Sequence, residues 1–195
     1  MIAEASAPLA VRKPPRSWAL ARAYTRPMVA LPVWIDSWVC ECCGVQRRRG
    51  ETVELELTFT GDVAAATGPD RIDVLAGGKV RITGSVAGRV KDAHARKKGT
   101  LIQSGAVQFA VAGAAPAARV CCTGQLWEIR HGYAAGSTRG TLSDIRWRPA
   151  LLREAGERSF VIDGYGPATR LDATGDWPDD ASGSWALELI LQVQP

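Results

Sequence analysis

The sequence predicts a mostly β fold, an antiparallel β-barrel or sandwich with little helix behind a disordered N-terminal leader. Three observations carry that expectation. Apolar and polar residues alternate with period two in several segments, most clearly where Val53, Leu55, Leu57 and Phe59 are interleaved with Glu54, Glu56 and Thr58. Glycine-bearing turns separate these segments, and twenty glycines suit a sheet with bends and bulges. Long helical patterns do not alternate with the strands, as a parallel α/β sheet would require.

Residues 1–27 hold Pro8, Pro14, Pro15 and Pro27 with little periodicity, and read as a flexible basic leader. Arg12, Lys13, Arg16, Arg22 and Arg26 stand there against Glu4 alone, so the leader accounts for the whole net charge of +4. Residues 28–195 are then expected to form a single β-rich domain without a basic excess. That argues against a broad electrostatic footprint for nucleic acid. Met28 directly precedes the first strand-like run and is a candidate start of the physiological chain. No apolar run approaches the roughly 18–20 residues of a membrane span. The stretch Val29-Ala30-Leu31 is interrupted by Pro27 and Pro32, which is unlike a secretory signal. A reducing, cytoplasmic location follows as the expectation, and five cysteines, an odd number, fit thiols or metal better than a disulfide framework.

The elements follow in order. Val33-Trp34-Ile35-Asp36-Ser37-Trp38-Val39 is rich in β-formers and runs into the first cysteine cluster. Gln46 to Gly50 makes a charged turn in which Arg47, Arg48 and Arg49 read as solvated. The strand beginning at Val53 is expected to close at Gly61-Asp62. Residues 79–90, then Val107, Phe109 and Val111, then Arg119 to Ile129 give further strands. Leu142, Ile145 and Trp147 make a less regular one, and residues 150–157 suit a short helical turn. Phe160-Val161-Ile162 is short. In the last strand Trp185, Leu187, Leu189, Leu191 and Val193 alternate with Ala186, Glu188 and Gln192, and nine residues of period two outweigh the helical propensity of leucine and alanine.

All five cysteines lie in two clusters, Cys40-Glu41-Cys42-Cys43-Gly44 and Cys121-Cys122. Cys40 and Cys43 have the Cys-x-x-Cys-Gly spacing of a metal knuckle, which supplies two of the four ligands of a structural zinc. The second half is poorer, because neighbours on an extended strand point to opposite faces. The candidate metal ligands are therefore Cys40, Cys43, Cys121 and Cys122, with His131 in reserve and zinc as the one cofactor expected. Against this stands burial of the cysteines as small, inert hydrophobes. A third reading is thiol redox chemistry, in which the arginines at 47–49 would favour the thiolate.

Weaker signals are read as structure. Residues 89–98, from Arg89 to Lys98, are strongly basic but lack the interleaved aromatics of a base-stacking surface. His131, Ser143 and Asp144 lack a Gly-x-Ser-x-Gly elbow. Asp176, Asp179 and Asp180 match no EF-hand spacing, and Gly164-Tyr165-Gly166 lacks the third glycine of a dinucleotide site. Trp34, Trp38, Trp127, Trp147 and Trp185 sit on strand-like segments and read as core. If two or three instead line an open mouth, they make an apolar ligand pocket.

The run Val33 to Trp38, followed by Cys42-Cys43-Gly44 and a glycine-bearing turn into Val53-Glu54-Leu55, resembles the opening of an uncharacterised actinobacterial family, domain-of-unknown-function family 6578. Gly124-Gln125-Leu126-Trp127-Glu128-Ile129-Arg130-His131-Gly132, followed by Thr138-Arg139-Gly140, resembles its middle portion. This chain has Ile129-Arg130-His131-Gly132 where the family is expected to carry an acidic–His–His–Gly run. The resemblance spans residues 28–147 and implies a small, β-rich, cytoplasmic bacterial protein without an established activity.

The sequence therefore points to a non-enzymatic module that binds a protein or small-molecule partner and carries a candidate cysteine-rich zinc site. The alternatives are a nucleic-acid-associated barrel using the leader and residues 89–98, and a thiol redox protein.

Overall fold

The period-two segments become strands of one eleven-stranded sheet in the computed structural model, which describes residues 27–43, 46–91, 98–129, 136–157, 159–178 and 183–194. The leader up to residue 26, the basic stretch 92–97 and His131 lie outside the described residues. The strands are β1 (Val29–Asp36), β2 (Thr52–Ala65), β3 (Arg71–Val74), β4 (Val80–Lys91), β5 (Lys98–Ser104), β6 (Val107–Ala112), β7 (Arg119–Glu128), β8 (Ser137–Gly156), β9 (Ser159–Tyr165), β10 (Thr169–Leu171) and β11 (Trp185–Val193). One α-helix, α1 (Ser37–Cys43), follows β1, and a 3₁₀ turn spans Ala76–Gly78.

The sheet returns on itself twice. Strands β8, β11, β1, β7 and β2 come back to β8, while β7, β2, β6, β5 and β4 come back to β7. The β2–β7 pair is common to both rings, so the result is not a simple up-and-down barrel. Most ladders are antiparallel, as expected, but β1 runs parallel to β7 and β2 parallel to β6 over two register pairs each. Alternation puts Val53, Leu55, Leu57 and Phe59 of β2 inward with Leu126 of β7, Leu31, Val33 and Ile35 of β1, and Leu187, Leu189 and Leu191 of β11. Burying these side chains supplies the main driving force, at about 25 cal/mol per Å² of apolar surface.

Four local expectations are corrected. The strand opening at Val33 ends at Asp36, and Ser37–Cys43 is helical. Asp and Ser are residue types that favour a helix start over a continuing strand. Strand β2 does not close at Gly61-Asp62 but continues to Ala65. It passes β7 there at Gly61 opposite Gly124, where backbones meet too closely for a side chain: a Cβ on Gly124 would lie 2.1 Å from the Thr60 carbonyl oxygen. Residues 150–156 are strand rather than a helical turn, because β9 pairs along them from Ala150 to Gly156. Cross-strand pairing overrides local propensity. Finally, Arg47 is buried rather than solvated.

The outer face of the same sheet positions the site. Register places Arg146 of β8, Glu188 of β11, Trp34 of β1, Trp127 of β7 and Thr58 of β2 side by side across five strands. Each alternates with inward residues, so this row projects away from the core. The β8–β9 hairpin and the 3₁₀ turn cover part of it.

Candidate functional site

A cleft of about 820 Å³ opens over that row, within the size range of small-molecule sites. Its floor is Trp34, Trp127, Thr58, Thr60 and Gln125 from the sheet. One wall is Asp36, Trp38 and Val39 at the start of α1, the opposite one Gly77 and Lys79. Ile162, Asp163, Gly164 and Tyr165 of β9 close over it, with Arg148 at the rim and Glu128 and Ile129 where β7 ends.

Three rings form the apolar centre. Trp34 stacks on Tyr165 with centroids 4.7 Å apart, and Trp127 is tilted against both, at 5.9 Å from Trp34 and 6.5 Å from Tyr165. Trp34 is buried, while Trp127 and Tyr165 keep accessible surface and Trp38 is exposed. The Trp34 indole is fixed by donating from Nε1 to the Gly78 carbonyl at 3.0 Å. Gly78 has φ of +65°, and a Cβ there would lie 2.5 Å from Trp34 Cζ2, so the turn needs glycine to approach the ring.

The charges around the cleft are mostly spoken for. Arg148 donates to Glu188 Oε2 at 2.8 Å and to the Gly166 carbonyl at 3.0 Å, and its guanidinium lies 5.9 Å from the Trp34 ring centre. Arg47 meets Glu128 in a two-pronged ion pair with both side chains almost fully buried. Lys79 and Asp163 are exposed, and Asp163 also faces Arg153 at 3.4 Å. Asp36 is half-buried. Burial pushes its carboxyl above the ordinary 3.8, against a hydrogen bond from the Trp38 side chain that lowers it. Burial likewise pushes the Tyr165 hydroxyl up to about 12, and the nearby Asp36 charge adds to the rise.

The predicted metal ligands fall into separate places. Cys40 and Cys43 belong to α1, beyond the end of β1, and Cys121 and Cys122 lie near the start of β7. Cys40 feels the charges of Glu128 and Arg47, at the far end of β7 from Cys122. Along the strand that separation is about 20 Å at roughly 3.3 Å per residue. Among the described residues no group of three or more His, Cys, Asp or Glu side chains is arranged to hold a metal ion. His131 lies outside those residues.

Cys40, Cys121 and Cys122 stand outside any disulfide, and the Cys42 and Cys43 sulfurs lie 3.0 Å apart. Cys122 is buried and its neighbour Cys121 half-buried on the other face, as an extended strand requires. Burial drives Cys122 up to about 12, helped by Cys121. Cys40 also reaches about 12: burial and the Glu128 charge outweigh the lowering effect of Arg47. An arginine close to a thiol thus fails to activate it, because its charge is already neutralised and the sulfur is desolvated.

Other sequence signals resolve as structure. Ser143 donates to the Ile190 carbonyl, and Asp144 pairs with Arg146 at 2.8 Å and Arg170 at 2.7 Å. Asp176 accepts from the Ala173 amide, while Asp179 and Asp180 lie outside the described residues. Reading the tryptophans as core holds for Trp185 and for Trp147, which packs against the main core, while Trp34 is buried but faces away from that core and Trp38 is exposed. Nothing in the local sequence marks Asp36, Arg148, Glu128 or Tyr165 as site residues. Tyr165 stands between two glycines, and the one local clue to an occupied outer face is the alternation of Trp127 with Leu126 and Glu128.

No family model matches the chain, and neither a curated protein nor a solved structure matches it. Among the described residues no helix is long and apolar enough to cross a membrane.

Proposed function

We propose that this protein is a non-enzymatic binding module whose ligand is a small organic molecule seated in the aromatic cleft. One observation carries the reading: Trp127 and Tyr165 keep accessible ring surface inside a concave site whose supporting groups are themselves locked. Trp34 is tied to Gly78, Arg148 to Glu188, and Arg47 to Glu128. Such preorganisation lowers the ordering cost of binding, and half-exposed aromatic rings gain by covering their apolar surface. The reading favours a small-molecule partner over a protein one, because the rings lie within a cleft. The unpaired thiols of Cys40, Cys121 and Cys122 fit a reducing compartment.

Quenching of tryptophan fluorescence by a panel of soluble aromatic and alicyclic compounds tests this. Saturable binding that weakens at least tenfold in Trp127→Ala, with the melting temperature of that variant little changed, is the expected result. Affinities identical in the wild type and in both Trp127→Ala and Tyr165→Ala would place any binding elsewhere and defeat the reading.

A further inference from the structure

Within the cleft the charges are unequal in one respect that bears on what it would hold. Glu128 is neutralised by Arg47, and Arg148 is held at 2.8 Å by Glu188, which Arg146 also approaches at 3.6 Å while pairing with Asp144. Lys79 and Asp163 reach solvent, where water screens them. Asp36 is different: it is half-buried, its hydrogen bond comes from the uncharged Trp38 side chain, and no Arg or Lys pairs with it among the described residues. A desolvated carboxylate without a counter-charge is destabilising unless a cation joins it. Trp38, Trp127 and Tyr165 line the same cleft as Asp36, Trp38 bonding to it and Tyr165 lying within reach of its charge, and aromatic ring faces are electron-rich and attract cations. The fold already uses that attraction once, where the Arg148 guanidinium sits over Trp34.

We infer that the cleft selects organic cations: an ammonium group carried on an apolar or aromatic body, with its charge set against Asp36 and the faces of Trp38, Trp127 and Tyr165. This rests on the cleft being a ligand site, and it adds the charge and chemical class of the ligand. An apolar cleft alone would be indifferent to charge. An anion would meet Asp36 at close range, since Arg148 is already engaged and Lys79 is solvated.

Three compounds of one shape and different charge make the test: 2-phenylethylammonium, 2-phenylethanol and phenylacetate, titrated into the full chain at pH 7 by calorimetry. The expected order is cation, then neutral, then anion, with the cation bound about tenfold more tightly than the alcohol. Asp36→Asn keeps a residue type suited to the start of α1 and is expected to bring cation and alcohol within about twofold of each other. Equal or stronger binding of 2-phenylethanol or phenylacetate by the wild type would overturn the inference while leaving the cleft as a ligand site. An undiminished preference for the cation in Asp36→Asn would overturn the role given to Asp36. If none of the three binds, the inference falls, and the fluorescence panel with Trp127→Ala and Tyr165→Ala decides the reading beneath it.

Discussion

Single residues decide how the cleft is held. Glu128 and Arg47 are each buried with the other as counter-charge, and removing one partner strands the other in a poorly solvated place. Glu128→Gln is expected to cost about 3 kcal/mol of stability, read by urea unfolding, and an unchanged midpoint would show the pair to be inert. The thiols give a second residue-scale prediction. Because burial lifts Cys40 and Cys122 to about 12, both stay protonated at neutral pH and should resist alkylation until the chain unfolds. Rapid labelling of either by iodoacetamide in the native protein would contradict their burial. The sequence showed the cysteines but not these surroundings. Arg47 looked like one of three loop arginines, and only the fold brings Glu128 from far along the chain to meet it. Asp36 was equally silent, since a lone carboxylate in a strand-like run carries no signal of its eventual neighbours.

Strands were the most legible elements, because alternation is a direct consequence of a sheet with one face buried. The runs at Val53–Phe59 and Trp185–Val193 announced themselves that way, and both became strands with their leucines inward. Short strands such as β3 and β10 carry too few residues to show a period. The helix α1 was hidden by the β-forming character of Trp34, Ile35 and Val39, and the turn read into residues 150–157 by their leucines and alanines. What decided that last case was the partner strand β9, whose pairing is a tertiary fact. The crossing of β2 and β7 depends on two facing glycines, and Gly124→Ala would set a methyl group against the Thr60 carbonyl and the Phe59 ring. A loss of about 2 kcal/mol or more is expected, or roughly 6 °C in melting temperature for a chain of this size. Full retention of the wild-type melting temperature would mean the strands can separate there at little cost.

At the scale of the whole molecule, the fold class could be read from the chain but its closure could not. The first strand pairs with the last, Val29 beside Val193 and Asp36 beside Ala186, and also runs parallel to β7. Pairings so distant in sequence leave no mark in local composition, and they delay folding because long loops must close first. The same closure creates the site: β1, β7 and β2 bring Trp34, Trp127 and Thr58 side by side to its floor, and β8 brings Arg148 to its rim. It also separates the cysteines, since the parallel β1–β7 register sets α1 at one end of β7 and the Cys121-Cys122 pair near the other. Ligand recognition by this molecule depends on that outer row being the binding face. Its most direct test is the set of tryptophan indole N–H signals in a ¹H–¹⁵N spectrum during titration with 2-phenylethylammonium. The signals of Trp34, Trp38 and Trp127 should move together and saturate, while those of Trp177 and Trp185, which pack on each other at 5.2 Å outside the cleft, stay in place. Movement confined to Trp177 and Trp185, or no movement at all, would contradict it.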